Sequence, residues 1–301
     1  MRSCPVSPVA GLLLAVASSP LLAQNFDTVQ VRPVSVAPGL YMLMGAGGNI
    51  GVSAGPDGVF LVDDQYAPLT EKIVAAIRSF SDRPIRFVLN THWHGDHTGG
   101  NENMGKAGVL LVAHDNVRRR MSVDQFQEAF NRTVPAAPEG ALPVVTFTET
   151  VTFWLNDDEI HAFHVDNAHT DGDAIIHFRR SHTVHMGDTY FNGLWPFIDI
   201  ASGGSVDGMI GAADTVLKLV RNDTRIIPGH GPLSNPAELR AFRDMLAAIR
   251  DRVRAEIAQG KTVEQVLAGN VTAQWDAKVT GNKERFVRYL YMELSQKARN
   301  R

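Results

Sequence analysis

The chain has 301 residues, of which 44% are hydrophobic and 20% are charged, and it contains a single cysteine, Cys4. This composition is typical of a folded globular protein and excludes a disordered or collagen-like chain. The formal net charge of −3 lacks the basic excess of most nucleic-acid-binding proteins. One cysteine can form neither an internal disulfide nor a cysteine-rich zinc site. We therefore expect a large core in one or two domains and a small-molecule partner.

The first 23 residues have the features of a secretory signal peptide. Arg2 supplies a basic start, an apolar run includes residues 11–17, and Ala23 places a small residue at the expected cleavage point. The apolar run is shorter than the roughly 20 residues that a transmembrane helix needs. We therefore expect residues 1–23 to be removed and the mature chain to be periplasmic or secreted, without a membrane span.

Short β-type runs separated by turn residues come first in the mature chain and predict an antiparallel meander. A helix is predicted over residues 70–80 and a buried strand over 85–90, which ends in a histidine-rich loop. A strand at 109–113, a helix at 116–130 and a loop at 133–142 follow. The four runs of the meander are residues 29–36, 40–45, 50–54 and 59–62.

The second half of the chain repeats the mixture of strands and helices. A helix is predicted at 206–220 and a last strand at 225–227, and from about residue 236 to residue 301 the pattern is helical. Two β-rich halves, each followed by helix, predict a four-layer αββα sandwich of the α/β (α+β) class. The five strands predicted before the helix at 206–220 are residues 144–147, 151–155, 160–165, 174–178 and 183–186.

The most informative segment is the loop after the strand at 85–90. Within six residues it holds His92, His94, Asp96 and His97. Because His92 and His94 are two positions apart, they cannot share a helix face, but in a loop they can converge on one ion. Asp96 and His97 can then face a neighbouring position. Imidazole and carboxylate ligands suit zinc, iron or manganese, so the segment predicts a metal site.

This His-x-His-x-Asp-His pattern resembles the signature of the metallo-β-lactamase-fold hydrolases. Four further motifs of that family occur in the expected order: an aspartate ending a strand at Asp63, a histidine before a small polar residue at His169, an aspartate after a strand and a glycine at Asp188, and a Pro-Gly-His at His230. The resemblance covers nearly the whole mature chain. It implies the metallo-β-lactamase fold for one domain, residues 24–301, and dependence on metal.

The resemblance also implies a ligand set for two divalent ions, with zinc as the first expectation and iron and manganese left open. One ion is bound by three histidines, a second by an aspartate and two histidines, and a further aspartate bridges them. In that order the residues are His92, His94 and His169; Asp96, His97 and His230; and Asp188.

Two positions near this ligand set need separate treatment. His161 and His164 lie on the predicted strand before His169 and are alternative ligands, although His169 opens a loop and matches the motif. Asp63 is expected to support the histidine loop through hydrogen bonds rather than to bind metal.

Two neighbouring ions would lower the pKa of a shared water, so that a hydroxide bridging them can attack a carbonyl carbon near neutral pH. We expect Asp96 to orient this nucleophile and to pass its proton to the leaving group. No serine or cysteine nucleophile is needed in such a reaction. A covalent acyl-enzyme is therefore not expected.

The family includes β-lactamases, lactonases and thioester hydrolases of the glyoxalase II type. Asp188 stands where one β-lactamase subclass has cysteine, and Phe191 stands where that subclass has a lysine that binds the substrate carboxylate. We expect an exported zinc-dependent hydrolase of a cyclic amide or ester, of β-lactam or lactone type. A thioester or acyclic ester hydrolase and a non-catalytic periplasmic metal-binding accessory protein are the alternatives.

Two further features admit two interpretations each. The aromatic-rich stretch at 191–200, directly after Asp188, predicts either a substrate wall or ordinary core aromatics. In the C-terminal part, Arg285, Arg288 and Tyr289 either reach an anionic substrate or form a solvated helix face.

Overall fold

The computed structural model describes residues 25–299, so the predicted signal peptide lies outside the described residues. In this part of the chain the first sheet has seven strands. Its first four strands pair antiparallel, as the predicted meander requires, and the other three add in parallel. In spatial order the strands are β1 (Arg32–Ala37), β2 (Leu40–Met44), β3 (Ile50–Gly55), β4 (Gly58–Val62), β5 (Ile85–Leu89), β6 (Leu110–His114) and β9 (Val145–Phe147).

The second sheet of the described residues has five strands. Neighbouring strands pair antiparallel except for the last pair, which is parallel. The last two strands therefore end at the same edge of the sheet. In spatial order they are β10 (Thr150–Leu155), β11 (Asp158–His164), β12 (Ala174–Phe178), β13 (Thr183–His185) and β14 (Arg225–Ile227).

Helices cover the outer face of each sheet, which confirms the predicted four-layer αββα arrangement. Apolar side chains of the first and third helices pack on the first sheet, and those of the fifth, sixth and eighth pack on the second. No helix among the described residues combines the length and the apolar character needed to cross a bilayer. The helices are α1 (Thr70–Arg78), α2 (Gly95–Thr98), α3 (Asn101–Lys106), α4 (Asp115–Met121), α5 (Val206–Leu219), α6 (Pro236–Ala258), α7 (Val263–Ala268) and α8 (Lys283–Arg299).

Strand β4 shows how the centre of the sandwich is packed. Each of its residues is buried, because one face of the strand packs on helices and the other on the second sheet. Phe60 points between the sheets and meets Phe178 edge-on, with ring centroids 6.5 Å apart. Leu61 points outward into the cluster that includes Ile73 of α1. Burying each of these large side chains contributes about 1.5–3 kcal/mol to the stability of the fold. Asp63 therefore follows directly on a well-packed strand.

The predicted helix at 116–130 is wrong in its second half. Helix α4 ends at Met121 and buries Val117 and Met121. The positions that would continue this face, Asp124 and Gln125, are polar, so the apolar stripe stops there. A hairpin follows, with Asn131 at a positive φ of 45° in its turn. Its strands are β7 (Gln125–Gln127) and β8 (Arg132–Val134).

Candidate metal centre

The candidate metal centre lies where several strands end at one edge of the sandwich. Parallel pairing brings the carboxyl ends of β4 and β5 together in the first sheet, and those of β13 and β14 together in the second. Each of these strands is followed within three residues by a residue of the predicted site. The residues are Asp63 after β4, the loop 92–97 after β5, Asp188 after β13 and His230 after β14, and His169 joins them from the loop after β11.

Three histidines form the first cluster. One ring nitrogen from each of His92, His94 and His169 lies within 4.8 Å of the others. Nδ1 of His94 is 3.2 Å from Nε2 of His92 and 2.9 Å from Nε2 of His169. The three side chains are almost fully buried. Their nitrogens therefore converge on one point away from solvent.

In His94 and His169, the ring nitrogen that points away from the cluster carries the proton, so the nitrogen that points into the cluster presents a lone pair. His94 Nε2 is 2.9 Å from a carboxylate oxygen of Asp199, and His169 Nδ1 is 2.8 Å from the carbonyl oxygen of Phe197. An ionised carboxylate and a carbonyl only accept, so these nitrogens carry the protons. Burial also lowers the pKa of His169 to about 4, which keeps its ring neutral. Neutral imidazoles with inward lone pairs are the form that binds a metal ion.

The second cluster contains Asp96, His97 and His230. His230 Nε2 is 3.3 Å from Asp96 Oδ2 and also 3.3 Å from Asp188 Oδ1. His97 Nε2 lies 3.1 Å from Asp188 Oδ1, yet both atoms are buried without a hydrogen-bond partner among the described residues. Buried polar atoms are rarely left unpaired. Atoms this close without hydrogen-bond geometry are arranged like ligands around a common centre.

Asp188 lies between the two clusters. Its Oδ1 faces His97 and His230, as given above, and its Oδ2 is 3.6 Å from Nε2 of His169 and 3.9 Å from Nε2 of His92. The side chain is only 6% exposed. One carboxylate thus presents a separate oxygen to each cluster.

The second cluster favours a positive charge. Burial lowers the pKa of His230, but Asp188 and Asp96 outweigh it and raise the pKa to about 9. His97 behaves in the same way, because the carboxylates facing it raise its pKa against the effect of burial. A cation held between these groups would satisfy the same carboxylates. The donor set and its electrostatics therefore fit a divalent metal ion.

Asp63 supports the second cluster from behind. Its Oδ2 is 2.7 Å from Nδ1 of His97, and its Oδ1 accepts a 2.7 Å hydrogen bond from the amide of Thr91. These are the hydrogen bonds to the histidine loop that the sequence predicts for Asp63. Gly48 lies against the other side of His97, where a Cβ atom would overlap the imidazole ring. The ring is therefore fixed in orientation on both sides.

The profile of the metallo-β-lactamase superfamily matches residues 45–230, which include both clusters. This chain belongs to the metallo-β-lactamase superfamily. Membership agrees with the order of the motifs from Asp63 to His230, and with the way in which the strand ends bring them together.

Individual superfamily members give a more detailed comparison. A hydroxyacylglutathione hydrolase from Polaromonas sp. strain JS666 is 29% identical over 183 residues, which are 59% of this chain and 60% of that relative. The chain thus spans about 60% of that protein's length. The solved sec-alkylsulfatase Pisa1 from Pseudomonas sp. aligns with a TM-score of 0.63 at 17% identity, covering 89% of this chain and 50% of that one. A metallo-β-lactamase from Pontibacter korlensis aligns with a TM-score of 0.59 at 16% identity, covering 72% of this chain and 99% of that one. The two solved structures confirm the superfamily fold.

The two alternative ligands from the sequence analysis, His161 and His164, lie away from the candidate metal centre. His161 is on β11 with Nδ1 2.9 Å from the hydroxyl of Thr152. His164 ends β11, stacks on His114 with ring centroids 3.9 Å apart, and has its Nδ1 2.8 Å from a backbone carbonyl. Neither joins a cluster of possible metal ligands among the described residues. The structure brings His169 to the centre instead.

Asp199 is a residue of the centre that the sequence analysis missed. It is 5% exposed, and its second carboxylate oxygen accepts from the amide of Ser202. Burial raises the pKa of Asp199, but the hydrogen bond with His94 outweighs it and lowers the pKa to about 2. Asp199 is therefore ionised at neutral pH and fixes the tautomer of His94 that points a lone pair inward.

Replacing this carboxylate should weaken metal binding. We expect Asp199→Asn to lower metal affinity about 10- to 100-fold, because an amide NH₂ facing His94 favours the tautomer with a proton on Nδ1. Competition with a chromophoric chelator measures the affinity. Asp166→Asn, at a side chain that is 93% exposed, is the matched control. Unchanged affinity in Asp199→Asn would contradict the role assigned to Asp199.

A cavity of about 420 Å³ opens beside the second cluster. Asp96, Asp188 and His230 line its metal-facing side, and Phe191 stacks on His230 with ring centroids 5.3 Å apart. Phe197 lies between the cavity and the first cluster, 5.7 Å from the ring of His169. Phe191 and Trp195 line the cavity and also belong to the buried core, so the aromatic stretch at 191–200 agrees with both of its interpretations.

Proposed function

We propose that this chain is a dinuclear metal-dependent hydrolase that attacks the carbonyl carbon of a cyclic amide or ester, of β-lactam or lactone type. The position of Asp188 carries the proposal, because its two oxygens face two separate groups of ligands. That arrangement suits two adjacent divalent ions, and the nitrogen and oxygen donors suit zinc first, with iron and manganese also accommodated.

Two bound divalent ions would supply an ionised water at neutral pH and polarise the scissile carbonyl. Asp96 faces the cavity with a side chain that is 25% exposed, so it can accept a proton from water and deliver it to the leaving atom. Phe191 and Phe197 reduce the access of bulk water to the metal-facing side. No serine, threonine or cysteine lines the described cavity, which supports direct attack by water over an acyl-enzyme.

A second candidate is hydrolysis of a thioester or an acyclic ester. The match to the hydroxyacylglutathione hydrolase supports it, since the matched 183 residues are about three fifths of each protein. The catalytic residues would be the same in both reactions. The shape and charge of the cavity would decide which of the two substrate classes binds.

Metal analysis followed by a substrate panel tests the proposal. We expect two equivalents of metal per chain, loss of activity with a chelator and recovery with zinc. A chromogenic cephalosporin, a γ-lactone and a glutathione thioester should then be compared at one pH, with the chelated protein as control. The proposal expects the cyclic substrates to have the highest kcat/KM. Faster thioester turnover would favour the second candidate, and bound metal without turnover would favour an accessory protein.

We also propose that the mature protein is periplasmic or secreted. The basic start at Arg2, the apolar run and the small residue Ala23 support export. Cleavage after Ala23 would remove Cys4 and leave a chain without thiols, which suits an oxidising compartment.

A further inference from the structure

We propose that Arg285, together with Arg132, binds a carboxylate on the substrate at the end of the cavity away from the metal centre. This inference rests on the proposed hydrolase function and narrows its substrate to a carbonyl compound that carries a negative charge. It assigns these two residues to substrate specificity.

Arg285 is a half-buried cation that has no acidic partner among the described residues. It lines the cavity, and its guanidinium lies 5.2 Å from the ring centre of Phe130 and 5.4 Å from that of Phe197. Its side chain forms no salt bridge and donates no hydrogen bond within the described residues. Burial lowers the pKa of Arg285, because its charge loses water without gaining a carboxylate. A guanidinium with five N–H donors thus lines the cavity without an acceptor among the described side chains.

Arg132 approaches the same place from a different element. It begins β8 in the hairpin after α4 and lines the cavity. Its guanidinium lies 5.2 Å from the ring centre of Phe130, the ring that Arg285 also contacts. Its Nε donates a 2.8 Å hydrogen bond to Gln127, and no acidic side chain pairs with it among the described residues. Two guanidiniums that contact one phenyl ring of the cavity wall would offer paired donors to a planar anion, since guanidinium donors match a carboxylate in pairs.

Phe197 connects this site to the metal centre. Its ring stacks near His94, with centroids 5.9 Å apart, and its ring centre also lies 5.4 Å from the guanidinium of Arg285. One aromatic residue therefore separates a candidate metal ligand from the cationic end of the cavity. A substrate whose carbonyl lies at the metal centre and whose short apolar chain crosses Phe197 would place its carboxylate beside Arg285.

Arg288 shows what a structural arginine on the same helix looks like. It lies one turn after Arg285 and forms ion pairs with Glu264 at 3.2 Å and Glu284 at 2.8 Å. Arg288 is therefore satisfied on the solvent side of α8 and does not line the cavity. The contrast distinguishes Arg285 from the ordinary helix surface and supplies a matched control.

A pair of esters tests the assignment. Mono-4-nitrophenyl glutarate carries a free carboxylate, and its methyl ester has the same leaving group without the charge. We expect Arg285→Gln to lower kcat/KM for the acid about 10- to 100-fold, mainly through KM, and to change the methyl ester less than about threefold. Arg132→Gln should act in the same direction, and Arg288→Gln should change neither. Arg285→Lys retains the charge and should lose less kcat/KM on the acid. This variant can therefore test the assignment even if the glutamine variant folds poorly.

Equilibrium binding separates this inference from the proposed function. Calorimetry on the metal-loaded protein should detect 3-phenylpropane-1-sulfonate and not 3-phenylpropan-1-ol, and Arg285→Gln should abolish sulfonate binding. If the wild type hydrolyses neither ester nor any member of the substrate panel, the proposed function fails, while sulfonate binding that depends on Arg285 still supports the anion site. Equal losses of kcat/KM on both esters, or sulfonate binding that is unchanged in Arg285→Gln, would overturn the assignment of Arg285 to the anion site.

Discussion

Asp96→Asn should lower kcat by about 10²- to 10⁴-fold when the leaving atom must be protonated. Burial raises the pKa of Asp96, but His97 and the hydrogen bond with His230 outweigh it and hold the pKa below its usual range. Asp96 is therefore a carboxylate at neutral pH and can accept a proton. Asparagine keeps the shape of the side chain and removes this capacity.

The dependence on the leaving group separates proton transfer from metal binding. An ethyl ester and a 4-nitrophenyl ester of one acid should be compared in the presence of excess metal, because ethoxide needs a proton to leave and 4-nitrophenolate does not. We expect a much larger loss on the ethyl ester. Asp82→Asn, at a side chain that is 99% exposed, is the control. Near-normal turnover, or equal losses on both esters, would exclude the proton-transfer role.

The sequence could predict the metal centre because its residues sit directly at strand ends. Topology then determines where they meet, since the carboxyl ends of β4 and β5, and of β13 and β14, must share an edge once the pairs are parallel. The loop 92–97 needs no distant contact to be recognised. The residues themselves indicate the 92–97 loop, and the family resemblance supplies the other ligands, so the sequence names all seven residues that the structure brings together.

Contacts between remote parts of the chain could not be read in the same way. Asp199 lies 105 positions from His94, and nothing in its local sequence marks it as the partner of an imidazole. Arg285 and Arg288 look alike along the helix, and only the fold shows that one faces the cavity while the other pairs with glutamates. The hairpin after α4 was detectable in principle, because polar residues stand where the apolar stripe of that helix would have continued.

Asp188→Asn should reduce bound metal from two equivalents to one and lower kcat by at least about 10²-fold. An asparagine offers one oxygen and one NH₂ group, so one of the two clusters would face a donor instead of an acceptor. Metal analysis by mass spectrometry and steady-state kinetics measure the two effects. Asp171→Asn is the matched control, since Asp171 pairs with Arg120 of helix α4 and its replacement should leave both ions bound.

The result also tests whether the two clusters act as one centre. If Asp188 only supported the fold, its isosteric replacement would lower stability and leave the metal content at two equivalents in the folded fraction. If it bridges two ions, the second equivalent is lost from protein that remains folded, because Asp188 is the one residue whose oxygens face both described clusters. Two bound equivalents with wild-type kcat would therefore contradict the bridging role of Asp188.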